Sequence, residues 1–326
     1  MKRILITAIG GDVGYGIIKA LKRSNHALYI IGSDVKKYNC SYDLVDEFYL
    51  SPEYKEENEW WKFVLELIVN KKIDYFWPVT EPEIKIVDER KNELLNVKVI
   101  MNNPLILKIA LDKWKTAEYL KQGGIRTPNT WINRERCQKK YPLIVKEIFS
   151  CGSHSVTIVN NQNELEDAVN GMREPIIQEY IGNEKDEYTL TIFSDGSIVN
   201  YIAFKRILGF DGMSKFVELI DNDEFKKIAY KITKMLKLKG SINVQMRKGK
   251  EDYYVFEINP RISSTIGFRF LLGFNDVAWW IDMVEGKKIK QYKYPDEKVY
   301  GVRSVEEKLF FEGTKNSIRG GIGKVE

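Results

Sequence analysis

A chain of 326 residues that is 44% apolar and 30% charged has material for two or three packed units with cores of their own. Its net charge of +5 is spread over interspersed lysines and glutamates, which excludes a nucleic-acid stripe, while three scattered cysteines and two histidines exclude a disulfide framework or a zinc site. No apolar run is long enough to span a bilayer and the opening Met-Lys-Arg-Ile-Leu-Ile-Thr is too short for a signal peptide, so a cytoplasmic protein with no membrane partner is expected.

The first hundred residues alternate apolar strands with amphipathic helices. Residues 3–8 read as a buried strand, 10–16 as a glycine turn, 17–22 as a helix, 28–32 as a second strand ending at Asp34, and 60–70 as a further helix. That is the pattern of a doubly wound parallel sheet. Asp34 stands about twenty residues after the glycines, where a dinucleotide-binding acid would be. The glycines fail that pattern, because G-x-G-x-x-G ending at Gly14 needs glycine at Ile9 and ending at Gly16 needs it at Val13. Thr80, Glu81 and Glu83 follow a strand over 75–79, and either meet a ligand at the carboxyl edge of the sheet or begin a helix.

After Asn103-Pro104 the pattern changes. Residues 105–122 are helical by period, Gly123 and Gly124 stop them, and Thr127-Pro128 leads into a strand over 142–147 and a small α+β lobe that runs to about Ile181. Lys205-Arg206 then precede a Gly-containing stretch over 209–215 that reads as a mobile flap, and the basic pair either grips a carboxylate or guards a strand edge. Residues 287–298 are basic and Tyr-rich, and 313–326 read as a polar tail or a final strand.

The chemistry concentrates in two strands joined by a Lys/Gly turn, Ser-Ile-Asn-Val-Gln ending at Gln245 and Tyr-Tyr-Val-Phe-Glu-Ile-Asn-Pro-Arg ending at Arg261. Side chains i and i+2 share a strand face, so Glu257 and Asn259 point the same way. With Gln245 they offer oxygen ligands of the type Mg²⁺ takes, and Mg²⁺ normally arrives carrying phosphate. Arg261 would supply charge to a transferring phosphoryl group. A polar face on an ordinary hairpin is the alternative.

These strands resemble the metal-binding strands of the ATP-grasp superfamily, with the nearest likeness to the large subunit of carbamoyl-phosphate synthetase and its short single-module relatives. Further motifs follow in family order: D-K-W-K-T around Lys113, P-L-I-V-K-E around Lys146, S-C-G-S-H-S-V at 150–156, and Q-E-Y-I-G with E-Y-T between 178 and 189. The resemblance implies a mixed α/β and α+β chain. A Rossmann-like domain at 1–104 would precede a two-lobed ATP-grasp fold, with the small lobe at 105–181 and the lobe carrying the metal site at 182–326.

It further implies ATP with two Mg²⁺ ions, Mn²⁺ being a substitute, held by Gln245, Glu257 and Asn259. Lys113 and Lys146 would clamp the triphosphate under a loop containing Ser153, where Ser150 and Ser155 replace common glycines and make the loop stiffer. Gln178, Glu179, Tyr180 and Ile181 would meet the adenine, and Glu187 the ribose hydroxyls, a surface pair with Lys185 being its other reading. Arg261 and Arg206 would serve the acyl phosphate. Members that phosphorylate bicarbonate carry a second arginine three residues after the one matching Arg261, and this chain has Ser264 there, which argues against carbamoyl phosphate as product.

The implied activity is ATP-dependent ligation of a small-molecule carboxylate to an amine, through an acyl phosphate, with release of ADP and phosphate. Homo-oligomers stay open. An ATP-grasp kinase and a nucleotide-binding protein without turnover are the alternatives.

Overall fold

The computed structural model describes residues 1–138, 140–149, 156–209, 212–304, 309–310 and 318–319. The chain forms two units, Met1–Met101 with Val302–Glu326, and Asn102–Gly301. Among the described residues, no helix is long and apolar enough to cross a membrane.

The first unit holds β1 (Lys2–Ile6), α1 (Asp12–Lys22), β2 (Leu28–Asp34), β3 (Glu47–Leu50), α2 (Glu57–Asn70), β4 (Tyr75–Trp77), α3 (Glu81–Arg90) and β5 (Lys98–Val99). The strands form one parallel sheet in the order β3-β2-β1-β4-β5. Leu5, Ile31 and Phe76 from its centre are buried against Trp60, Trp61 and Val64 of α2. The turn after β1 is shorter than its glycines suggest, because α1 begins at Asp12 and takes in Gly14 and Gly16.

Close packing explains those glycines. A Cβ on Gly14 would lie 2.5 Å from the Ala8 carbonyl oxygen, and one on Gly10 would lie 2.9 Å from Asp34 Oδ2. That same Asp34 oxygen accepts from Gly10 N at 2.7 Å, and Oδ1 accepts from Lys36 N at 2.8 Å. Asp34 is thereby a brace for the turn. Thr80 and Glu83 form a reciprocal capping box at the start of α3, with Glu83 Oε2 accepting from Thr80 N at 2.9 Å. Burial raises the Glu83 carboxyl above the ordinary carboxylate range.

In the second unit the helix expected over 105–122 is two helices, α4 (Pro104–Ala110) and α5 (Lys113–Gln122). Asp112 causes the break, since its side chain accepts from Lys115 N at 2.9 Å and caps α5. A small sheet follows, built from β6 (Thr130–Trp131), β7 (Leu143–Glu147), β8 (Val156–Val159) and β9 (Pro175–Glu179) in the order β6-β9-β7-β8, with α6 (Gln162–Asn170) between β8 and β9. Leu143, Val145, Val159, Leu165 and Ile177 make its core.

The larger sheet contains β10 (Glu187–Ser194), β11 (Val199–Leu208), β12 (Ser214–Ile220), β13 (Gly240–Lys248) and β14 (Tyr253–Asn259), with α7 (Asp223–Leu236) between β12 and β13. After β14 come α8 (Ile266–Arg269), α9 (Asp276–Val284) and β15 (Tyr300–Val302), and the sheet order is β14-β13-β10-β11-β12-β15. Alternation divides its faces. Leu190, Ile192, Val244, Met246 and Ile258 form one core with Phe225, Ala229 and Ile232 of α7. The residues between them carry the polar groups described next.

Candidate functional site

Cross-strand register arranges the polar face of the large sheet in rows. Glu187 on β10 stands directly between Arg206 on β11 and Arg247 on β13. The neighbouring row sets Thr189 beside Gln245, and Gln245 beside Glu257 on β14. One row further, Asn243 stands between Thr191 and Asn259. Glu257, Asn259 and Gln245 thus share one surface, as the alternation of the two strands required.

The hydrogen bonds of these rows have a single possible polarity. Arg206 Nη2 can only donate, so the Gln245 group facing it at 2.9 Å is the amide oxygen. Gln245 Nε2 then donates to Asn259 Oδ1 at 3.0 Å, which leaves Asn259 Nδ2 to donate to Glu257 Oε1 at 3.1 Å. Asn243 conforms, accepting from Thr189 Oγ1 at 2.5 Å and donating to Asn259 Oδ1 at 3.3 Å.

Carboxylate and amide oxygens fit a hard divalent cation, and Glu257 is half-buried rather than sealed. Gln245 Oε1 accepts from Arg206 and Asn259 Oδ1 accepts from both Gln245 and Asn243, so either amide oxygen would exchange hydrogen bonds on binding a metal. Arg206 is 6% exposed, and Nε at 3.1 Å and Nη2 at 2.6 Å both donate to Glu187 Oε1, so it orients the side chains on either side of it.

Glu187 is buried at 5% exposure and lies far from the surface pairing with Lys185 that its neighbourhood in sequence allowed. Arg247 occupies its second oxygen, with Nη2 at 3.1 Å and Nε at 3.4 Å from Oε2. Lys205 pairs instead with Asp186, at 3.1 Å. Arg247 is a site residue that the sequence reading missed, although it stands two places after Gln245 on the same strand face.

The small sheet contributes Lys146 on β7. Lys146 is 4% exposed, and its Nζ lies 5.6 Å from the centre of the Phe256 ring. Phe256 reaches that position because of a β-bulge: β13 pairs Gln245 with Glu257 and Met246 with Val255, leaving Phe256 unpaired on β14. The Arg247 guanidinium lies 5.9 Å from the same ring and 5.3 Å from that of Tyr180. Lys113, at the first position of α5, is buried, and its backbone N donates to the Ile148 carbonyl beyond β7.

Burial pushes the Lys146 ammonium down from the ordinary 10.5 to about 8; Glu257 opposes the fall, and Lys113 and Arg247 add to it. The unfolded chain therefore holds this proton more tightly than the folded one. Charged Lys146 opposes folding in full below about pH 8, and the penalty is relieved as pH rises from there toward 10.5. Phosphate oxygens would reverse that preference. If Lys146 clamps phosphate, affinity for Mg-ATP measured by calorimetry falls as pH rises above about 8, and Lys146→Met binds more weakly with a flatter pH profile. An equally steep profile in Lys146→Met would remove this lysine from the site.

The remaining expected contacts are dispersed around β9. Gln178 is buried and donates to Thr130 Oγ1 at 2.9 Å, Glu179 accepts from Asn129 Nδ2 at 2.9 Å, and Tyr180 and Ile181 are half-buried just beyond the strand. Ser153 and the loop around it lie outside the described residues, as do residues 210–211 of the expected flap. Arg261 follows β14, half-buried, with Nη1 donating to the Ile262 carbonyl at 3.1 Å.

Further along the chain Arg269 and Asp276 anchor a buried network. Arg269 Nε donates to Asp276 Oδ1 at 2.9 Å and Nη2 to Oδ2 at 3.0 Å, while Nη1 reaches Ser263 Oγ at 3.1 Å and Thr265 Oγ1 at 3.0 Å. Ser241 Oγ completes it with a 2.6 Å bond to Asp276 Oδ2. Arg269 is thus fully engaged on both sides of Ser264 and does not stand in for the arginine absent there.

Comparison with known proteins places these features in a wider context. Residues 110–265 match the ATP-grasp domain and residues 4–101 the PylC-like, N-terminal domain. The carbamoyl phosphate synthase large chain of Thermotoga sp. (strain RQ2) is 25% identical over 305 residues, covering 82% of this chain and 27% of that protein. The chain therefore spans about a quarter of that relative's length. The D-alanine--D-alanine ligase of Fusobacterium nucleatum is 26% identical over 180 residues, 51% of this chain and 62% of the ligase. The crystal structure of L-amino acid ligase from Bacillus licheniformis has the same fold, with a TM-score of 0.69 at 18% identity, covering 86% of this chain and 73% of that one.

Proposed function

We propose that this chain, an ATP-grasp protein by residues 110–265, uses ATP to activate a small carboxylate as an acyl phosphate and transfers the acyl group to an amine. The observation that carries this reading is the Glu257 carboxylate, in one row with Gln245 and on one strand face with Asn259, acting on the charge of buried Lys146. Ligase names among the relatives, for D-alanine and for L-amino acids, support it.

Glu257, Asn259 and Gln245 would hold Mg²⁺, or Mn²⁺, as two ions; when bound, the metal would neutralise the phosphate oxygens. Lys146 and Lys113 balance the triphosphate charge, and Gln178, Glu179, Tyr180 and Ile181 border the base. The substrate carboxylate oxygen attacks the γ-phosphorus and the bond to ADP breaks. The neutral amine nitrogen then bonds to the acyl carbon, the bond from that carbon to the phosphate oxygen breaks, and the nitrogen's surplus proton leaves with the phosphate. Arg261 stabilises the oxyanion formed in that second step.

Release of ADP, followed with bicarbonate, with ammonia and with a panel of amino and sugar acids, each with and without an amine, tests the proposal. An organic acid together with an amine should drive turnover. Bicarbonate should not, because Ser264 offers no cation, Arg269 is committed elsewhere, and one charge-assisted contact is worth about 1.5 to 3 kcal/mol. Bicarbonate-dependent turnover above that of every organic acid would overturn the substrate assignment, and phosphorylated product formed without any amine would make the protein a kinase.

A further inference from the structure

We propose that Arg247 sets how strongly this site reads the sugar of its nucleotide, by competing with the ribose hydroxyls for Glu187. The inference rests on the reading of the cleft as an ATP site. A carboxylate has about four lone-pair positions. In Glu187 two face Arg206, through Nε and Nη2 on Oε1, and two face Arg247, through Nε and Nη2 on Oε2. With all four engaged, Glu187 accepts from a ribose hydroxyl only if one guanidinium withdraws.

The two arginines are unequal. Arg206 approaches to 2.6 Å, is 6% exposed and has a second partner in Gln245. Arg247 approaches no nearer than 3.1 Å, and its side chain is 16% exposed. Its Nη1 is buried without a hydrogen-bond partner. Its guanidinium, while bonded to Glu187, already lies near the rings of Tyr180 and Phe256, at 5.3 and 5.9 Å, and those contacts do not depend on the Glu187 bonds. Arg247 is therefore the partner that yields, and releasing it consumes part of the binding free energy the hydroxyls would otherwise contribute.

The test compares ATP with 2′,3′-dideoxy-ATP, which lacks both hydroxyls, by calorimetry with Mg²⁺ on the full chain and on Arg247→Met. Loss of the positive charge changes attraction for both triphosphates alike, so the ratio of the two affinities isolates the sugar. In the native protein the ratio should be small, within about threefold, and Arg247→Met should widen it by on the order of tenfold. Arg247→Gln, which is polar and of intermediate length, repeats the measurement should the methionine variant fail to fold. An unchanged ratio in the folded variant overturns the role of Arg247 while leaving the ATP site intact. Failure of the native protein to bind either nucleotide overturns the underlying reading of the cleft, and this inference with it.

Discussion

Glu257→Gln is expected to leave a folded protein that does not turn over ATP. The glutamine oxygen still accepts the 3.1 Å bond from Asn259 Nδ2, and position 257 is half-buried, so the melting temperature without nucleotide stays close to that of the native chain. What disappears is the only carboxylate of the oxygen row at Glu257, Asn259 and Gln245, and with it the anion that supports the charge on Lys146. A metal ligand and a partner of the phosphate clamp are removed together, and ADP release should fall by at least about a thousandfold. Turnover at the native rate would show that the divalent ion is held elsewhere.

The second large effect concerns the Arg269–Asp276 pair, where both side chains have 0% exposure. Replacing Arg269 alone by Met strands a buried carboxylate, and the expected loss is about 3 to 5 kcal/mol. For a unit of this size that lowers the melting temperature by roughly 10 °C. Replacing both partners, as Arg269→Met with Asp276→Leu, should restore part of the loss, because an apolar pair needs no compensating charge while the buried hydroxyls of Ser241, Ser263 and Thr265 still lose partners. Thermal melts of the two variants distinguish the cases: equal destabilisation of single and double variants would mean that packing, rather than the stranded charge, dominates.

Local periodicity carried a good part of this protein. The parallel sheet of the first unit follows from apolar strands alternating with amphipathic helices, and the common face of Glu257 and Asn259 follows from a two-residue repeat. Features decided by one neighbour were harder to read. Asp112 split one expected helix into two, because an oxygen able to cap the next turn outweighed an unbroken helical period. Gly14 lies inside α1 for a reason external to the helix, the nearness of the Ala8 carbonyl.

By itself, the sequence determined which residue types could meet phosphate and metal, since strand alternation is a property of the backbone and needs no partner. Only the tertiary structure decided what each of them does there. The pairing of β10 with both β11 and β13 set Glu187 between two arginines, and that row dictated the orientation of the Gln245 amide. The bulge in β14 brought Phe256 toward Lys146 and Arg247, against the alternation of its own strand. Register and bulges arise from the contest between whole strands for hydrogen bonds and buried surface, so no short stretch of one strand contains them.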